Sequence, residues 1–447
     1  MAIGADQRQI AHLLRRSGFG GSASEISAYL RLGFEASVDR LVDYDQVPND
    51  DLLAQVAALE ATLDLTKMPS IQQIWFHRML LTARPLEEKM TLFWHDHFAT
   101  ANSKVGRPAV MYDQNSFLRA NAMGDFRTML RGISRDGAML RWLDNNSNRK
   151  NSPNENYARE LMELFTMGVG NYTEQDVREG ARAFTGWFAN RDGSFAFNRG
   201  QHDTGQKTFL GRTGPWDGDD VLDIILEQPV TARFIAEKLF TFFVHDHPSP
   251  TTINRLADGF RGSGYSIRTL VRAILKSPEF LSDEAYHALV KSPPELVVGM
   301  LKALDVGELA SGTPSTLRRM GMDLFNPPNV AGWNWGTGWI SSATMLERAN
   351  AAAQFTTQRG DNAKYGMDPN ALVARLGAHS AQQLVDAALD LLVDGDAQPA
   401  ARAQLAQYMN TGYTGAPEAF TSDRQRVDRA VRGLAHLIMS MPVYQMA

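Results

Sequence analysis

Four short polar stretches carry the residue types that do chemistry in this chain. In "TLFWHDHFAT" (91–100), His95 and His97 bracket an aspartate among aromatic side chains. If the backbone is extended at Asp96, alternate side chains face one side and both imidazoles can reach one ion. If the helix runs on through His97, the rings diverge and cannot chelate together. A short H-x-H brings no third ligand of its own, so a divalent metal on His95 and His97 is the alternative to a site without a cofactor. The plain outcome is two histidines hydrogen-bonded near the core.

The second stretch is "NSPNENYARELMELFTMG" (151–168). Helical spacing puts Asn156, Glu160 and Glu163 on one face, with Glu155 and Arg159 one step around. Leu164 and Met167 share that face, so at least one carboxylate is expected to be part-buried. Such a group must be paired, protonated or bound to an ion. Pairing with Arg159 or Arg182 is the commonest fate, and a general acid with a raised pKa is the sharper one. In "GQHDTGQKTFLG" (200–211), His202, Asp203 and Lys207 sit in a glycine-rich loop, where an adjacent His-Asp pair could orient an imidazole or join a cation site. In "NPPNVAGWNWGTGW" (326–339), Trp333, Trp335 and Trp339 form either an aromatic platform for sugar rings or a lid packed on the core. "VHDHPSP" (244–250) repeats the H-D-H letters but reads as a solvated helix end.

These residues point first to a hydrolase or lytic enzyme acting on a glycan or other polar polymer. Glu160 or Asp203 is then the general acid, and Glu163 or Glu155 the base or nucleophile. His97 or His202 orients or relays protons, while Arg159, Lys207 and the three tryptophans hold substrate. The alternatives are a metal-dependent enzyme built on His95 and His97, and a non-catalytic scaffold or secretion partner whose polar motifs are folding buckles. No G-x-G-x-x-G after a strand, G-x-x-x-x-G-K-[ST], H-E-x-x-H or G-x-S-x-G occurs, which leaves the common nucleotide, zincin and esterase readings without support.

The elements that must position these groups are helical. "QIAHLLRR", "ASEISAYLRLGFEASVDRLVD" and "SIQQIWFHRMLLT" place apolar residues three and four apart. Ser22 with Glu25, and Thr173 with Asp176, form capping-box patterns, and Pro85 opens the helix that ends in H-D-H. Only 188–220 suggests sheet, with "SFAFN" and "KTFLG" as the two arms of one hairpin near 194–210. The expectation is a mostly α, multi-helical single unit. Residues 1–356 form the principal domain, including the long polar loops of 100–220, and the helices of 357–447 pack on it.

At 447 residues, with a net charge of −5 and no cysteine, the chain can bury a large core and has no disulfide, thiolate or iron–sulfur chemistry. The small, mixed charge argues against a nucleic-acid partner. The densest basic stretch, "TSDRQRVDRAVRG" (421–433), reads as the solvated side of a terminal helix. No run reaches membrane-spanning length, and the first residues lack a signal-peptide pattern, which leaves a cytoplasmic location as one expectation.

The same motifs carry a family resemblance. "HLLRRSGFG", "PLEEKMTLFWHDHFAT", "AMLRWLDNNSNRKNSPNENYARELMELFTMGVGNYTEQDVREGARAFTGW", "FAFNRGQHDTGQKTFLG" and "LFNPPNVAGWNWGTGWISS" resemble the uncharacterised bacterial DUF1800 domain proteins over nearly the whole chain. Members of that family look exported and are encoded beside proteins resembling sulfatases or alkaline phosphatases. The resemblance therefore implies a periplasmic or cell-surface setting and a partner protein encoded nearby. His95, His97, Asn154, Glu155, Arg159, Glu160, Glu163, His202, Asp203, Lys207 and Trp339 all fall inside the family-like motifs.

Overall fold

Helices begin where local chemistry directs them. Ser22 accepts from the Glu25 N–H while Glu25 caps back on Ser22, and Thr173 and Asp176 do the same for the Glu174–Ala183 helix. Pro85 occupies the first turn of Pro85–His97, where a missing N–H costs nothing. The computed structural model describes residues 4–411 and 424–447, and helices dominate it throughout. Among the described residues no helix is long and apolar enough to cross a membrane.

The sheet content differs from the single hairpin expected. "SFAFN" folds back on the residues before it, so that β1 (Trp187–Ala189) pairs antiparallel with β2 (Phe195–Phe197). "KTFLG" folds forward, so that β3 (Lys207–Phe209) pairs with β4 (Arg212–Gly214). The second hairpin closes through a two-residue turn with Leu210 and Gly211 both at positive φ, the geometry that matches strand twist. Two short local closures replace one longer one, and the segment between them is held by side chains instead.

The apolar residues form two buried clusters. One gathers Leu13, Phe126, Phe165, Phe240 and Ile274; the other gathers Ile74, Leu301, Phe355, Leu384 and Val431, so the C-terminal helices share a core with residues 71–80 and 296–304. The Pro85–His97 helix lies where the clusters meet, giving Met90, Phe93 and Trp94 to the first and Leu92 to the second. Of its residues only Glu87 escapes full burial. Two of its buried charges are matched inside the protein. Glu88, with no exposed surface, accepts from the Trp75 indole at 3.0 Å and from Arg119 at 2.7 and 3.1 Å, with Arg78 4.0 Å away. Lys89 pairs with Glu295.

The basic stretch near the C-terminus is not simply a solvated face; its residues 421–423 lie outside the described residues. Arg432 is buried and donates to the Thr356 and Met367 carbonyls at 2.7 and 3.2 Å, besides pairing with Asp428 at 2.9 Å. Thr356 lies in the last turn of the Ser342–Thr357 helix, whose last carbonyls have no partner within the helix, and the guanidinium supplies one.

Candidate functional site

The helix continues through His97, so the two histidines point apart by about 200°. His95 is fully buried, edge-on to Trp75 at 5.1 Å and beside Phe325 and Trp333 at 5.3 and 5.6 Å. Neither of its ring nitrogens meets a partner, and burial pushes its pKa down to about 3, which keeps the ring neutral. His97 faces the other way. It stacks on Phe93 and bonds through Nε2 to the Phe165 carbonyl at 3.0 Å. A carbonyl only accepts, so Nε2 carries the proton and Nδ1 keeps a lone pair that no protein group uses. Burial, reinforced by the charge of Lys238, holds His97 well below the usual imidazole range. The shared His95–His97 metal site fails on this geometry. Among the described residues no three His, Asp or Glu side chains are gathered to hold an ion.

The residue between the histidines does face a cavity. Phe93 and, one helical turn on, Asp96 and His97 form one wall of a space of about 380 Å³, within the size range of small-molecule sites. The Pro229–Phe243 helix supplies the opposite wall through Phe234, Glu237, Lys238, Thr241 and Phe242. That is the i, i+3, i+4, i+7, i+8 face of a helix. Ala331 and Trp335, from the Trp/Gly/Pro loop, complete the lining. Asp96 is 7 % exposed and accepts the Trp333 backbone N–H at 2.7 Å, with Trp335 lining the same cavity. Burial nevertheless dominates and pushes its carboxyl up to about 7, with the Trp333 hydrogen bond, the charge of Lys238 and the polar edge of Trp335 opposing. The loop reaches Asp96 only because Gly332 lies between them: its φ is +89°, and a methyl group there would overlap the carboxylate and stand 2.9 Å from the Asp96 carbonyl oxygen.

Of the three tryptophans proposed as a platform, Trp333 and Trp339 are buried at 4 and 5 % exposure and pack in the second core. Trp335 alone, 49 % exposed and edge-on to Phe242 at 5.4 Å, stands at the cavity.

The other candidates lie elsewhere. Glu155 and Arg159 form a surface cluster with Glu174. Glu163 accepts from the Tyr172 hydroxyl at 2.5 Å. Glu160 is half-buried and held above the usual carboxylate range by burial and by Glu163 beside it. None of these lines the cavity, but their segment touches it indirectly. The Asn156–Glu160 helix widens into a π-turn over Leu161–Thr166, and that turn presents the Phe165 carbonyl to His97.

His202, Asp203 and Lys207 build a buckle, also away from the cavity. His202 bonds the Thr185 carbonyl at 2.9 Å, and Asp203 accepts from Arg182 at 2.7 and 3.3 Å. Lys207, 1 % exposed, donates to the Asp203 and Gly205 carbonyls at 2.6 and 3.1 Å. The Arg182 hydrogen bonds hold Asp203 below the usual carboxylate range. Asp203→Asn is expected to cost about 1–2 kcal/mol by leaving Arg182 short of one of its two charged partners, Glu179 being the other. It should appear as a lower denaturant midpoint at unchanged slope, and an unchanged midpoint would show that the buckle contributes nothing.

Sequence reasoning passed over Asp96 as the letter between two histidines, and passed over Glu237 and Lys238 entirely. A signal was present: "FIAEKLFTF" puts acid, base and hydroxyl on the same helical face as two phenylalanines.

Comparison of the chain with curated proteins and with solved structures finds no match. One family model, described as a protein of unknown function (DUF1800), matches residues 12–446, and the chain belongs to that family.

Proposed function

We propose that the protein is a hydrolase or lytic enzyme acting on a glycan or other polar polymer, with its acid–base chemistry in the Asp96 cavity rather than at Glu160 or Asp203. The observation that carries this reading is a carboxyl pushed up to about 7 inside a space walled by Phe93, Phe234, Phe242 and Trp335. Such a carboxyl keeps its proton near neutrality and can give it to a leaving oxygen. Glu237, exposed on the same face, is the second carboxylate, suited to activating water or taking up the sugar carbon. Trp335 offers an apolar face on which a sugar ring can stack. The periplasmic or surface setting and a partner encoded nearby rest on the family resemblance alone.

Asp96→Asn keeps the shape and removes the proton. Assayed as release of reducing ends from a panel of polysaccharides, turnover should fall about a hundredfold or more. Wild-type activity should decline as pH rises through about 7, as the acid ionises. Wild-type stability should fall with pH as well. Folded Asp96 holds a proton that the unfolded carboxyl, with an ordinary value of 3.8, has already lost, so the native state weakens as pH climbs from about 4 to about 7. Asp96→Asn should flatten that decline. A variant with full turnover on the substrate that wild type cleaves would end the proposal.

A non-catalytic binding role is the second reading. It is favoured by how many of the other polar motif residues, Arg159, Asp203 and Lys207 among them, spend their charges inside the protein. Ligand binding that survives Asp96→Asn, with no turnover by wild type on any polymer of the panel, would support it.

A further inference from the structure

The covered lysines of this chain give their ammonium groups to acceptors. Lys89 pairs with Glu295, Lys302 with Glu25, and Lys207 and Lys291 donate to backbone carbonyls. Lys238 is the exception. It is half-buried, its Nζ lies 5.1 Å from the Phe234 ring centre, and among the described residues it has neither a hydrogen bond nor an ion pair. It lines the cavity together with Asp96 and His97 from the facing helix, Glu237 and Thr241 from its own, and Trp335 from the loop.

We infer that Lys238 is a carbonyl-capturing amine, and that the cavity takes a ligand bearing an aldehyde or ketone and holds it as an imine on Nζ. Loss of hydration in the cavity favours its neutral, nucleophilic form, against the cation–π contact with Phe234, which favours the ammonium. Burial lowers its pKa, partly opposed by Asp96. The Nζ lone pair forms the N–C bond as the carbonyl π pair moves to oxygen. That oxygen takes one proton from the amine nitrogen and one from the Asp96 carboxyl, and departs as water with the C–O pair. The nitrogen lone pair then closes the C=N bond. An iminium cation is left facing the Asp96 carboxylate, so charge balances within the cavity and no oxidant is needed. A reducing sugar end has the required carbonyl in its open form, and so does any small aldehyde.

The test uses the intact chain with benzaldehyde and sodium cyanoborohydride near neutral pH, followed by peptide mass mapping. Lys238 should be alkylated about tenfold faster than Lys67, an exposed lysine on the surface. Asp96→Asn should slow labelling at Lys238 several-fold and leave Lys67 unchanged. Labelling that follows exposure, with Lys67 level with or ahead of Lys238, overturns the inference. So does an Asp96→Asn variant that labels Lys238 at the wild-type rate. The readout needs no polymer cleavage, so it can fail while the hydrolase reading stands, and the reverse.

Discussion

Glu88→Gln is expected to destabilise the protein by about 3–5 kcal/mol, the cost typical of breaking a buried ion pair from one side. Glu88 has no exposed surface and answers the Arg119 guanidinium and the Trp75 indole, with Arg78 close by. The amide leaves one or both arginines uncompensated and turns an N–H toward groups that can only donate. The adjacent Glu87 is the internal control. It is half-buried, and burial together with the Glu88 charge pushes its pKa up to about 7, so Glu87→Gln should be neutral or mildly stabilising. Denaturant unfolding of both variants checks the contrast. A loss below about 1 kcal/mol at Glu88 would mean that the arginines find water instead.

Gly332→Ala should be nearly as costly, about 3 kcal/mol or more, and should abolish whatever the cavity does. Two effects add. The φ of +89° is one that L-residues adopt only with strain of about 1–2 kcal/mol. The new methyl also overlaps the Asp96 carboxylate, which the Trp333 N–H holds in place, and crowds the Asp96 carbonyl oxygen. Gly336, in the same loop at φ +55° with nothing within 4 Å, separates the two effects. Gly336→Ala should cost only the backbone term and leave Asp96 undisturbed. If both substitutions cost the same, contact with Asp96 is not what requires Gly332.

The helical class, the starts at Ser22, Pro85 and Thr173, and the polar character of the H-D-H helix end were legible because each is set within three or four residues. The direction in which H-D-H faces was not. A helix buried nearly all round has no solvent side, so its pattern cannot say which of three polar residues meets a cavity. Trp335 was indistinguishable from Trp333 for a related reason, since an irregular loop has no period to assign faces. The role of Asp203 depended on Arg182, twenty-one residues earlier and in a different element. Spacing cannot reveal such a partner. Lys238 and Glu237 lie where an amphipathic helix is ordinarily wet, and only the arrival of the Asp96 helix and the tryptophan loop opposite makes that side the wall of a cavity.

The position of the Pro85–His97 helix between two apolar clusters also bears on how the molecule comes apart. A chain of this length can unfold in stages when its hydrophobic units are separable. Here one helix contributes side chains to both units, and its charges are neutralised from each side, by Arg119 in one direction and Glu295 in the other. Opening either unit strips that helix of half its partners and strands a buried charge against the remainder. The two halves are therefore expected to unfold in one transition, which a single denaturant midpoint by probes in each half would check, and the cavity sits on the element that couples them. A ligand seated against Asp96 tightens the whole chain by mass action, not merely the wall it touches.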